Sequence, residues 1–110
     1  METTTEQVGD VLKIKIIGRF TANNADEFKQ SLLTYAKTNK QILLDLSQMD
    51  YIDSSGLGAL VGAQQEISRQ SGQLKLAALQ PKPDKVFEIT RTKHVLDVYN
   101  NVEEAINSFK

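Results

Sequence analysis

Residues 42–58 read Ile42-Leu43-Leu44-Asp45-Leu46-Ser47-Gln48-Met49-Asp50-Tyr51-Ile52-Asp53-Ser54-Ser55-Gly56-Leu57-Gly58, and they decide the fold. Ile42 to Leu46 is an apolar run broken once, by Asp45. Such a run suits a central strand covered on both faces. Ser47 to Asp50 is turn-like, and Tyr51-Ile52 leads into a serine pair. Beyond it Leu57, Leu60, Val61, Gln64 and Ile67 recur at helical spacing, and Ser71-Gly72 supplies the stop. The stretch is therefore strand, loop, helix, the repeating unit of a parallel sheet.

The same grammar extends both ways. Upstream, Leu12, Ile14 and Ile16 alternate with Lys13 and Lys15, the pattern of a half-buried strand near a sheet edge, and Gly18 closes it. Asn24 and Glu27 have the spacing of a capping box, ahead of a helix with Ala25, Phe28, Leu32, Tyr35 and Ala36 on one face. Downstream, Leu74 to Leu79 is a strand candidate. Pro81 and Pro83 open a short helix with Val86, Phe87 and Thr90. Val95 to Tyr99 reads as a short strand. Asn101 and Glu104 repeat the capping signature before a helix bearing Val102, Ala105, Ile106 and Phe109. Strands and helices alternate throughout, so the expected fold is α/β with right-handed crossovers. Residues 1–110 should form one domain: a small mixed or largely parallel sheet of about four to five strands packed with about four helices.

Composition narrows the function. The chain has 110 residues, net charge −1 and no cysteine. That excludes a disulfide framework, a thiolate metal site and a cysteine nucleophile. Opposite charges are interspersed, so there is no basic stripe for nucleic acid and no polybasic segment for a membrane surface. Met1 to Asp10 is polar, unlike a signal peptide, and no window reaches the roughly 20 apolar residues of a membrane span. A cytoplasmic location is expected.

The loop Asp53-Ser54-Ser55-Gly56-Leu57-Gly58 joins the central strand to its helix, where parallel α/β domains meet ligands and partners. One reading is purely structural: Asp53 or Ser54 caps the helix, and the glycines allow tight packing. The other is chemical. Two hydroxyls at an exposed helix start make a good phosphoacceptor site, because the terminal amides and the helix dipole welcome a dianion. Enzyme readings lack parts. A nucleophile elbow needs glycine where Ile52 stands, and the only histidine, His94, lies in a different segment. Gly56, Gly58 and Gly62 miss the dinucleotide spacing by one residue, and no P-loop lysine follows. Asp45, Asp50 and Asp53 resemble acidic residues that end strands and cap helices more than a magnesium cluster.

Leu44-Asp45-Leu46-Ser47, followed by Tyr51-Ile52-Asp53-Ser54-Ser55-Gly56-Leu57-Gly58-Ala59-Leu60, resembles the signature of STAS domains. Among these it is most similar to bacterial anti-sigma factor antagonists. Gly18-Arg19-Phe20, Pro81, Val86-Phe87, Thr90 and the run ending at Tyr99 resemble flanking family segments. The resemblance implies a non-enzymatic protein-interaction switch with no cofactor. Ser54, the serine directly after the aspartate, would be phosphorylated by an anti-sigma factor serine kinase. A serine phosphatase would reset it. Thr21, Asn23, Asp53, Ser54, Ser55, Gly56, Leu57 and Gly58 would form the partner surface. The chain departs from the family pattern at Thr21, where many relatives carry aspartate, and this bears on which kinase it meets. STAS-like domains also serve as non-enzymatic subunits of transporter or stress-signalling assemblies, the alternative that the resemblance leaves open.

Overall fold

The computed structural model describes residues 1–109. Five strands form one mixed sheet in the order β1-β2-β3-β4-β5. They are β1 (Glu2–Val8), β2 (Val11–Phe20), β3 (Gln41–Ile52), β4 (Gln73–Ala77) and β5 (Asp97–Tyr99). The first pair is antiparallel and the other three are parallel. The helices are α1 (Ala25–Ala36), α2 (Ser54–Arg69), α3 (Pro81–Ile89) and α4 (Val102–Ser108).

From β2 to β5 every crossover steps the same way across the sheet. Right-handed crossovers then place their helices on one face. That face is the main core. Leu12, Ile14 and Ile16 of β2 and Ile42, Leu44 and Leu46 of β3 pack with Phe28, Leu32, Leu57, Leu60, Ile67 and Phe87 of α1 to α3. The other face is left to α4, whose Ala105, with Phe109 beyond it, covers Val11, Leu43 and Ala77. Both faces of the central strand are thus covered, as its nearly continuous apolar run requires.

Several sequence expectations are corrected. The polar start of the chain is a strand, β1, so β2 lies inside the sheet rather than near its edge. Gly18 does not end β2; at φ +98° it carries the strand on to Phe20. Ser47 to Asp50 is part of β3. Between the Lys15–Asp45 and Gly18–Met49 pairs, and again before Arg19–Tyr51, β3 takes one more residue than β2. These bulges give the stretch its turn-like composition, and the first is held by the Asp45 carboxylate, which accepts from the Ser47 amide at 3.0 Å. The expected strand over Val95 to Tyr99 is shortened to Asp97–Tyr99, after a single 3-10 turn at Thr92–His94.

Candidate functional site

The site lies at the carboxyl end of the parallel strands, where β2 and β3 each run into a helix. Asp53 is the N-cap of α2, in extended backbone conformation, and its Oδ1 accepts from the Gly56 amide at 2.9 Å. The open choice between Asp53 and Ser54 as cap is resolved in favour of Asp53. Its second oxygen, Oδ2, accepts from the Ala22 amide at 3.0 Å, and its own amide donates to the Phe20 carbonyl. One carboxylate therefore fastens the start of α2 to the loop between β2 and α1. The Gly56 amide, followed by the Ala22 amide, holds the Asp53 carboxyl below its ordinary value, against a raising effect of burial.

Ser54 and Ser55 are the first two residues of α2, and both are exposed. The first turn of α2 carries no acidic residue. The positive end of a 16-residue helix therefore has Asp53 as its nearest anion. Thr21 and Asn23 flank the anchored Ala22 amide, Asn23 exposed and Thr21 partly so. Together with Arg19, Tyr51 and Asp53 they line a shallow cleft. On the other side, Ser55 and Gly58 share a second cleft with Asp26 and Lys29.

Two expected surface residues are not on the surface. Gly56 and Leu57 are buried. A Cβ on Gly56 would stand 2.8 Å from the Phe20 carbonyl oxygen and 2.8 Å from Cγ1 of Ile52. Glycine here lets α2 meet β2 and β3 closely, and Leu57 is a core residue. Gly58 is exposed and would accept a side chain without contact.

The Asn24–Glu27 capping box is not made. Asn24 instead braces its own loop: Oδ1 accepts from the Thr21 amide at 2.9 Å, and Nδ2 donates to the Arg19 carbonyl at 3.0 Å. Of the second capping signature the N-cap half is formed, with Asn101 Oδ1 accepting from the Glu104 amide at 2.8 Å. His94 is exposed, in the 3-10 turn.

Sequence reading passed over Arg19 as part of the site. Its guanidinium lies 4.2 Å from the centroid of the Tyr51 ring, and Tyr51 is 43% exposed. The two sit opposite one another in the β2–β3 register, but only after the second bulge, which the residues alone do not announce. Among the described residues no group of three His, Cys, Asp or Glu could hold a metal, and no helix is long and apolar enough to cross a membrane.

Fold and site together define a class: a single-sheet α/β domain that displays a capped serine turn beside a braced loop. The STAS domain family model matches residues 2–105, and the chain belongs to that family. It is 31% identical to the anti-sigma-B factor antagonist of Listeria monocytogenes, over 93% of this chain and 90% of the relative. The crystal structure of the Thermotoga maritima protein TM1081 superposes with a TM-score of 0.88 at 26% identity, covering 96% of this chain and 92% of that one. The Bacillus cell fate determinant SpoIIAA in its phosphorylated form shares the fold, with a TM-score of 0.73 at 20% identity, covering 99% of this chain and 100% of that one.

Proposed function

We infer that this protein is an anti-sigma factor antagonist switched by phosphorylation at Ser54. The observation that carries the reading is the exposed Ser54 hydroxyl at the start of α2, beside a carboxylate already spent on two backbone amides. A phosphoryl group there brings about −1.5 to −2 charges. The helix terminus stabilises that charge, so the fold tolerates it. A partner surface matched to a neutral hydroxyl does not, because desolvating the dianion is costly. The unphosphorylated protein binds an anti-sigma factor serine kinase and frees the sigma factor. Phosphorylation ends the complex, and a serine phosphatase restores it. Thr21 and Asn23, in the cleft that Asp53 lines, and Ser55 and Gly58, in the other, complete the contact surface. The name of the Listeria relative, an anti-sigma-B factor antagonist, supports the antagonist role.

The test pairs two variants with the cognate anti-sigma factor, measured by calorimetry and by phosphoryl transfer from ATP. Ser54→Asp is expected to bind at least about tenfold more weakly, with circular dichroism and Tm unchanged. Ser54→Ala is expected to bind and take no label. Tight binding by Ser54→Asp, or label on another residue, would overturn the reading.

A further inference from the structure

We propose that β1 is a self-association edge, pairing antiparallel with β1 of a second copy about a two-fold axis through Thr5.

A sheet edge presents a row of unpaired backbone groups, and folded proteins blunt it with short strands, lysine, proline, bulges or a covering element. The β5 edge is short, three residues between a 3-10 turn and α4. Against these the β1 edge offers only two charged side chains, Glu2 and Glu6. It is seven residues long, pairs with β2 in unbroken register, and contains no lysine or proline. Glu2 to Gln7 are all exposed, so no helix or loop covers the strand on either face. Three consecutive threonines favour extended pairing.

Charge restricts the register of such a pair. The only charged residues of β1 are Glu2 and Glu6. Parallel pairing of two copies in register would set each glutamate against itself. Antiparallel pairing about Thr5 sets Glu2 against Val8, Thr3 against Gln7 and Thr4 against Glu6. No glutamate then faces a glutamate directly. Directly opposed residues share a face, so Glu2, Thr4 and Glu6 lie on the same side as Lys13 and Lys15 of β2. Glu6 already meets Lys13 at 3.1 Å. In the pair, four glutamates would lie between flanking lysines of both copies. The result is a continuous sheet across two molecules. Its contact is narrower than the roughly 1,600 Å² of a standard stable interface, so association is weak and concentration-dependent. The edge contains none of the residues of the serine site, so the proposal stands apart from the function inferred above.

The chain has no cysteine, which makes single-cysteine cross-linking clean. Opposed residues in an antiparallel pair have Cα atoms about 4.5–5.5 Å apart, within disulfide reach. Under diamide, Thr5→Cys is expected to form a disulfide dimer. Thr3→Cys should not, because its counterpart would lie about 13 Å along the strand. Sedimentation equilibrium of the wild type from micromolar to millimolar concentration should show a reversible dimer. Thr5→Lys opposes two lysines on a face of β1 that carries no carboxylate, and should weaken it roughly five- to tenfold with an unchanged circular dichroism spectrum. A wild type that stays monomeric throughout overturns the proposal. So does Thr5→Lys dimerising like wild type, or Thr3→Cys cross-linking as well as Thr5→Cys.

Discussion

At the scale of single residues, Asp53 carries the most structural consequence. Its carboxylate is both a helix cap and a tie between two loops. Asp53→Ala removes both bonds and should cost about 1–2 kcal/mol of stability, measured by urea unfolding at neutral pH. Asp53→Asn keeps an acceptor but loses the charge. Because the folded carboxyl is held below its ordinary value of 3.8, its contribution is complete above the unfolded value and is lost as pH falls through the folded one. The stability gap between wild type and Asp53→Asn should therefore narrow as the pH drops below about 4. Two glycines make a second pair of tests. Gly56→Ala would press a methyl against the Phe20 carbonyl and should cost about 1–3 kcal/mol. Gly58→Ala meets nothing within 4 Å and should be neutral or stabilising by up to about 1 kcal/mol. The sequence marks Asp53 as a cap candidate because capping has a residue signature. It does not reveal the tie to Ala22, because a main-chain amide looks the same whatever side chain it carries.

At the scale of elements, α4 stands apart. It is seven residues long and, among the described residues, the only helix on its face of the sheet. A buried cation holds it. Lys75 of β4 donates to the Ser108 carbonyl at 3.0 Å and to its hydroxyl at 2.7 Å, with the Phe109 ring 4.6 Å away. Lys75→Met keeps most of the stem but leaves the end of α4 unclasped. Hydrogen exchange in α4 should quicken by about tenfold or more while α2 is unaffected, the signature of a local opening unit. The apolar stripe of α4 was legible in the sequence, and so was its Asn101 cap. The β1 strand was not. A strand exposed on both faces has no alternation to read, and only its threonines hint at extension. The bulged half of β3 was hidden for a related reason: extra residues in a strand shift the alternation out of phase.

At the scale of the whole molecule, the parallel plan was readable because each strand-to-helix unit buries a distinct periodic stripe. The asymmetry, with three helices on one face and one on the other, follows from crossovers that never reverse direction. That arrangement collects the ends of β2 and β3 into one corner, where the serine turn and the Thr21 loop meet. The grip of Asp53 on that corner has an evolutionary corollary. It holds an amide, so every side chain at position 22 except proline, which has no N–H to give, preserves the joint. Neighbouring Thr21 and Asn23 can then be recoded without loosening the serine turn. Under the function proposed above, domains that differ at these two positions would present different partner surfaces around an unchanged serine turn.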